Sequence, residues 1–198
     1  MFYLEKTYKK MGKLFLYVFL FLSLLIAGVI AFSPYGSQKG FSYKLIKHSI
    51  DINAPAEKVF DFLGNSGNAS RWSSFVSHIT VLNLDSFTDG TTGSRRRCFR
   101  NKNEKGMQWD ELITEAVPNQ KRQLTIYNLK GFSMTAQNLA TEQLYEPIRQ
   151  KKCRLTFTVF FKDAKPTMWE TIKMYLAAYI IKPIFKKNLS NIKRITER

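Results

Sequence analysis

The feature that most limits how this chain can fold is an uncharged apolar stretch from Leu14 to Phe32. Seventeen of its 19 residues are apolar. As an α-helix it would be about 28 Å long, close to the ~30 Å hydrocarbon core of a bilayer. Ser33-Pro34-Tyr35-Gly36, a helix-stopping sequence, follows it. We therefore predict a transmembrane helix over residues 14–32. The alternative is a cleaved signal peptide, because Val29-Ile30-Ala31 resembles a cleavage site.

Basic residues precede this stretch and indicate its orientation. Residues 1–13 contain four lysines against one glutamate, Glu5. By the positive-inside rule, residues 1–13 form a basic cytoplasmic N-terminus and the rest of the chain lies on the exported side, periplasmic or extracellular. The exported part then divides into a linker over residues 33–42 and one domain over residues 43–198, a length typical of a single domain.

The net charge of +16 is unevenly distributed. Residues 151–198 hold twelve Lys and Arg against three Asp and Glu, whereas the preceding part of the domain is much closer to neutral. Because the charge collects beside the membrane segment and at the C-terminus, we expect it either to contact anionic lipid headgroups or to serve general solubility, and we expect no nucleic acid as a partner.

The residues that usually bind metals are scarce. The chain has two cysteines and two histidines, with no CxxC or HxxxH spacing. This pattern predicts neither a metal site nor a cofactor. Cys98 and Cys153 lie on different predicted strands, and the sequence leaves open whether they form a disulfide.

The order of predicted elements in residues 43–198 points to an α+β domain. One strand, two short helices and six successive strands precede a long C-terminal helix that begins near Thr167 and is interrupted at Pro183. Successive strands pair as an antiparallel meander. Only the last helix is long enough to cover such a curved sheet, so a cavity between sheet and helix is expected unless large side chains fill it.

Several short motifs appear in the order found in one superfamily. They are Ile52-Asn-Ala-Pro-Ala-Glu-Lys-Val-Phe60, Arg71-Trp72, Asp89-Gly-Thr-Thr-Gly-Ser94 and Trp109-Asp-Glu-Leu-Ile-Thr-Glu-Ala-Val-Pro118, followed by the late helix. In this respect the chain resembles the START-like (SRPBCC) superfamily of polyketide cyclases, dehydrases and lipid-transport proteins. The resemblance implies a helix-grip fold with a hydrophobic ligand pocket, and it implies no particular reaction.

Strand alternation indicates which side chains face the cavity. Cys153, Leu155, Phe157, Val159 and Phe161 share one face of the last strand, which we expect to look inward. On the fourth strand Glu111 lies between Trp109 and Ile113. If these face inward, Glu111 is an acid, a base or a ligand anchor; the alternative is a carboxylate at the rim, paired with an arginine.

Other candidates come from the arginine cluster, the short helix and the last helix. Arg95 and Arg97 face one way and Arg96 and Arg100 the other, but alternation does not say which pair faces the pocket. Met168, Ile172, Tyr175, Leu176, Tyr179, Ile180 and Ile184 form a stripe that we expect to be core or pocket wall. The candidate ligand-binding residues are Trp72, Phe75, Trp109, Glu111, Phe157, Phe161, Tyr175 and Tyr179; no catalytic set is predicted.

These residues support three functions. The preferred one is a membrane-anchored domain that holds a lipid or another hydrophobic small molecule in its cavity. The second is a cyclase or dehydrase that acts on an apolar substrate through Glu111 or a pocket tyrosine, for which no second acid–base partner is evident. The third is an interaction module whose cavity is filled by side chains. The basic residues of 182–198 are expected either to contact anionic headgroups or to form a solvated helix end.

The orientation can be tested directly. A C-terminal reporter that is active only in an exported compartment should be active when fused to the full chain, because residues 33–198 are expected outside the cytoplasmic membrane. The protein should also stay with membranes after a carbonate wash. Activity of a cytoplasmic reporter at the same position would contradict the orientation.

Overall fold

The computed structural model describes residues 2–132, 136–162 and 164–198, with side chains from residue 11 onward. Two compact units are present, Met1–Ser33 and Pro34–Arg198. The first contains helix α1, Phe2–Ala31. Met11–Ala31 is long and apolar enough to cross a membrane, a criterion that a signal sequence also meets.

The second unit is built on one antiparallel sheet of seven strands in the order β1-β7-β6-β5-β4-β3-β2. The strands are β1 Leu45–Ile52, β2 His78–Val81, β3 Arg95–Phe99, β4 Gln108–Val117, β5 Lys121–Lys130, β6 Leu139–Arg149 and β7 Lys152–Phe161. The first strand pairs with the last, and each remaining strand pairs with its sequence neighbour. Part of the strand predicted over 134–145 falls on residues outside the described ones, and β6 is its described counterpart.

Helices occupy the two predicted places in the chain. After β1 come α2, Ala56–Gly64, a 3₁₀ turn at Ser66–Asn68, and α3, Ala69–Trp72. The last helix, α4, runs from Met168 to Thr196 and begins with a capping box in which Thr167 and Glu170 satisfy each other's backbone N–H. The predicted α+β architecture, a curved antiparallel sheet with a long C-terminal helix, is confirmed. The interruption predicted at Pro183 is wrong, because the helix continues across this residue.

The segment before β1 packs on the sheet. Tyr35 is 3% exposed and makes an edge-to-face contact with Tyr175 of α4, with ring centroids 5.3 Å apart. Burial, with Tyr175 nearby, raises the pKa of Tyr35 to about 12. Gly36 exchanges backbone hydrogen bonds with Leu45, and Phe41 contacts Phe160 on the outer face of β7. The compact unit thus begins upstream of Tyr43, where the sequence places the start of the domain.

The core face of α4 differs from the predicted stripe. The helix packs along β1 through Met174, Ala178, Leu189 and Ile192. Four members of the predicted stripe are exposed and lie away from the space between α4 and the sheet: Met168, Ile172, Leu176 and Tyr179. Ile180 and Ile184 line that space, as expected of a pocket wall, although Ile180 is also exposed. The core face differs from the stripe because residues 168–184 are apolar on nearly every side, so helical periodicity alone cannot choose the buried face.

This assignment of faces predicts different costs for the same substitution. Leu189 is 0% exposed and Leu176 is 44% exposed. Leu189→Ala should lower the free energy of unfolding by about 2–5 kcal/mol, because it leaves a cavity in the core. Leu176→Ala should lower it by less than about 1 kcal/mol. Urea denaturation of the fragment 34–198 measures both, and equal losses would contradict the assignment.

Candidate functional site

A cavity of about 450 Å³ lies between α4 and the inner face of the sheet. Strands β2 to β7 form its wall on one side, and side chains of α4, including Met174 and Ala177, form the other. The segment from Trp72 to Val76 closes one end. The wall is predominantly apolar and includes Phe75, Ile79, Cys98, Trp109, Leu124, Ile126, Leu129, Phe132, Ala136, Leu139, Phe157, Val159, Met174, Ala177, Ile180, Ile181, Ile184 and Phe185.

Strand β5 contributes to the cavity wall by regular alternation and, near its end, through an irregularity. Leu124 and Ile126 alternate onto the inner face, and the register with β4 then shifts between Gln108 and Asp110. Asn128 adopts a positive φ of 50° at this point, a conformation that Asn tolerates better than most residues. Leu129 therefore lies on the cavity wall.

A charged pair forms one polar part of the wall, and the other polar lining residues are Ser73, Thr141, Glu142, Gln143, Thr158, Lys173 and Asn188. Arg96 of β3 donates from Nε to Oε2 of Glu111 on β4 at 2.8 Å, and Trp109 Nε1 donates to Oε1 of the same carboxylate at 2.9 Å. All three residues are buried. Burial acts to lower the pKa of Arg96, but the Glu111 carboxylate, together with Cys98 and Asp89, outweighs it, so this pKa is raised above its ordinary value.

The neighbouring pair faces outward. Arg97 donates two hydrogen bonds to Asp110, at 2.6 and 2.9 Å, and Asn128 donates a third at 2.9 Å. These bonds, the one from Arg97 foremost, hold the pKa of Asp110 below its ordinary value. The alternation of β3 is thereby settled: Arg96 faces the cavity and Arg97 does not. Glu111 combines the two sequence alternatives, since it is buried on the cavity wall and also paired with an arginine.

A second buried arginine lies behind this wall. Arg122 of β5 donates to the carbonyl oxygen of Gly90 at 3.0 Å, to Gln143 Oε1 at 3.2 Å and to the Tyr145 hydroxyl at 3.1 Å. Its guanidinium also stacks over the Phe60 ring, 4.0 Å from the centroid. Burial lowers the pKa of Arg122. Gln143 lines the cavity, so this network orients one further polar group of the wall.

Aromatic side chains close the end near α3. Trp72 contacts Phe157 with ring centroids 6.1 Å apart, and Phe75 contacts Trp109 at 5.8 Å. Arg100 fixes this segment from outside, because its guanidinium donates to the Phe75 carbonyl oxygen at 3.1 Å and lies over the Phe75 ring.

The structure brings together five of the eight residues that the sequence singles out for ligand binding. Trp72, Phe75, Trp109, Glu111 and Phe157 lie on the cavity wall. The other three do not line the cavity. Phe161 is buried in the core beside Val159, Tyr175 packs on Tyr35 and accepts a hydrogen bond from Lys44, and Tyr179 is exposed. Tyr175 and Tyr179 miss the cavity because the rotation of α4 about its axis turns other residues of the helix toward the sheet.

Sequence reasoning missed much of the wall. The inward residues of β5, Leu124 and Ile126, show the same alternation as β7 and could have been found from it. Met107, Leu129 and Phe132 could not, because they lie at strand ends and at the irregularity.

Cys98 and Cys153 are both free thiols, and burial raises both of their pKa values. Among the residues with described positions, no group of His, Cys, Asp or Glu could hold a metal ion.

Comparison with solved structures places the fold among known proteins. The chain is similar to a protein from Thermobifida fusca (17% identity, TM-score 0.59), covering 77% of this chain and 92% of that one. It is also similar to the Zhui aromatase/cyclase from a Streptomyces species (14% identity, TM-score 0.56, covering 78% and 93%). A third is norcoclaurine synthase from Thalictrum flavum, solved with dopamine and hydroxybenzaldehyde (10% identity, TM-score 0.56, covering 77% and 85%). At these identities the likeness establishes the helix-grip fold alone.

No curated protein matches the chain. A family model described as polyketide cyclase / dehydrase and lipid transport matches residues 45–197, which include the whole sheet and all of α4. Family and fold together suggest a domain that binds a hydrophobic ligand. The chain therefore belongs to the polyketide cyclase / dehydrase and lipid transport family, with the SRPBCC-type fold that the order of its motifs predicts.

Proposed function

We propose that this protein is a membrane-anchored binding protein that holds a lipid or another hydrophobic small molecule between its sheet and α4. The observation that carries the proposal is the cavity itself. Its volume of about 450 Å³ lies within the range of about 300–1,000 Å³ that is usual for small-molecule sites. Apolar walls of this extent favour an apolar ligand, because burying such a ligand removes its surface from water.

One polar group of the ligand would meet Arg96. Only Nε of Arg96 is used in the bond to Glu111, and the terminal guanidinium nitrogens make no hydrogen bond to any other described residue. They can donate to a hydroxyl, carbonyl or carboxylate oxygen of the ligand. The ligand would then bind with its polar end at Arg96 and its apolar body along β5, β7 and α4.

The same contacts argue against chemistry through Glu111 or through the two tyrosines that the sequence singles out. A general acid or base needs a carboxylate that is able to reach the substrate. Both oxygens of Glu111 already accept hydrogen bonds, from Arg96 and from Trp109. The two tyrosines considered as alternatives, Tyr175 and Tyr179, do not line the cavity. Glu111 therefore fits the role of a positioning residue that orients Arg96.

The membrane anchor in this proposal is α1. Its apolar part, Met11–Ala31, matches the length of a bilayer core, and the lysines before it favour a cytoplasmic N-terminus and an exported domain. An anchored binding domain could hold an apolar ligand close to the lipid phase, in which such ligands dissolve.

Filling part of the cavity should weaken binding. Ala177 lines the cavity, whereas its neighbour Leu176 points to solvent. In the fragment 34–198, Ala177→Phe should weaken binding of an apolar fluorescent probe by about tenfold or more, because the new ring occupies the ligand's space. Leu176→Phe is the matched control and should bind the probe as the parent does. If the parent binds no probe, or if both variants bind it equally, the proposal is wrong.

Removing the Arg96 donors should affect only ligands that carry an acceptor at their end. Arg96→Met combined with Glu111→Gln avoids leaving a carboxylate buried without its partner. This variant should bind a fluorescent fatty acid about 10- to 100-fold more weakly, the usual effect of losing a hydrogen bond to a charged group. Binding of a pyrene-type hydrocarbon probe should stay within about threefold. Arg97→Met with Asp110→Asn is the outward-facing control, and a loss of equal size there would contradict the role of Arg96.

A further inference from the structure

The outward face of α4 changes character along its length. Every exposed residue from Met168 to Pro183 is apolar: Met168, Trp169, Ile172, Leu176, Tyr179, Ile180 and Pro183. At 3.6 residues per turn, these positions fall within about 120° of the helix surface and extend over about 23 Å. The same face then becomes polar and basic, with Lys186, Lys187, Ser190 and Arg194 exposed.

Such a face is unusual for the surface of a protein in water. Helices at a protein surface normally place charged and polar residues on the side opposite the core. Here Met168 is 81% exposed and Trp169 is 65% exposed, and no exposed charge interrupts the face before Lys186. We refer to the seven residues from Met168 to Pro183 as the α4 apolar face. A contiguous exposed apolar surface of this kind marks a contact with another apolar phase or partner.

We propose that the α4 apolar face lies against the surface of an anionic lipid bilayer, with α4 parallel to the membrane plane. Apolar side chains on one face, together with Trp and Tyr at the depth of the headgroups, are typical of helices that lie in the interface. The charges of the helix agree with an anionic surface. Between Glu170 and Glu197 the helix carries only basic charges, and Lys186, Lys187 and Arg194 extend the apolar face with side chains that attract anionic headgroups.

The length of the connecting chain is consistent with this occupant. Only Phe32, Ser33 and Pro34 separate the end of α1 from Tyr35, which is buried in the domain. Three residues span at most about 11 Å. A domain joined to a membrane-spanning helix by so short a segment stays close to the bilayer, so lipid is within reach of its exposed faces.

The α4 apolar face lies beside the cavity, and this position indicates where the ligand comes from. This step rests on the proposed function, the binding of a hydrophobic ligand in the cavity. Ile180 belongs to the α4 apolar face, is 54% exposed and also lines the cavity. Its neighbours on the helix, Lys173, Ala177 and Ile184, line the cavity as well. The cavity wall and the α4 apolar face thus meet along one edge of the helix. An apolar ligand could pass from the bilayer into the cavity along this edge without crossing water, so the substrate class would be a molecule dissolved in the membrane.

Depth-dependent quenching in the full chain tests this contact. The fluorophore NBD would be attached at Leu176→Cys, with Gln150→Cys in the exposed β6–β7 turn as the control site; the native Cys98 and Cys153 are buried. The full chain would be reconstituted as one copy per nanodisc of phosphatidylglycerol and phosphatidylcholine. We expect a blue-shifted emission at position 176 and quenching by lipids with a doxyl group near the headgroup, at least about twofold stronger than at position 150.

Other occupants would give different results, each of which overturns the proposal. Water-like emission at position 176 would mean that the face is solvated. A blue shift without lipid quenching would mean that protein, such as another segment of this chain, covers it. A blue shift seen only with two copies per nanodisc would assign the face to a second copy.

Failure of this inference can be separated from failure of the proposed function. Ile172 and Leu176 do not line the cavity. Ile172→Glu with Leu176→Glu should therefore leave probe binding by the fragment 34–198 unchanged. In the full chain it should at least halve the lipid quenching of NBD at Trp169→Cys, because the charges disfavour insertion. Ala177→Phe should show the reverse, with probe binding lost and the quenching at position 176 retained.

Discussion

The cavity exists because one helix is much narrower than a seven-stranded sheet and cannot cover its whole inner face. Seven strands at about 4.8 Å spacing make a sheet about 29 Å wide, whereas one helix is about 10 Å wide. Because α4 packs along β1, it covers the edge of the sheet that includes β7 and leaves the inner faces of β3 to β5 without direct helix packing. The end of the sheet near α2 is filled by a core cluster that includes Val59, Leu155 and Ile192. The remaining uncovered part is the cavity, and the proposed function depends on it.

Two arginines are buried in this interior, and each is held differently. Arg96 has a carboxylate partner, Glu111, on the adjacent strand. Arg122 is held by carbonyl oxygens, an amide oxygen, a hydroxyl and the Phe60 ring, drawn from α2, the β2–β3 loop and β6. Burying a charge is costly unless it is paired or hydrogen-bonded, and groups of this kind are poor sources of net stability. Arg122 connects elements that pack against one another, whereas Arg96 presents donors to the cavity, which is consistent with a role in binding.

The last helix combines three surfaces. One side, with Ala178 and Leu189, is core; a second, with Ala177 and Ile184, is cavity wall; the third is the α4 apolar face. A helix that is apolar on nearly all sides is normally buried on all sides. In α4 this composition instead serves a core, a cavity and an exposed face, and we assign the last to the membrane. Beyond Pro183 the exposed side of the helix becomes basic. The exposed basic residues of α4 belong to 182–198, the region that the sequence makes a candidate for contact with headgroups, and they lie on the same side of the helix as the α4 apolar face.

Local patterns in the sequence determined the candidate span, the order of strands and helices, the inward face of β7 and the position of Glu111 between two inward residues. These features depend on side-chain periodicities of 2 and 3.6 residues and on the length of an apolar run. Both are local properties that can be read from residues adjacent in the sequence. Tertiary structure decided the rest. Arg96 rather than Arg97 faces inward because β3 pairs with β4 in one register, which places Arg96 opposite Glu111. Leu189 rather than Leu176 is buried because packing on β1 selects one rotation of α4. Tyr175 and Tyr179 lie off the cavity for the same reason: where a helix is apolar all round, only its partner determines which side is inside.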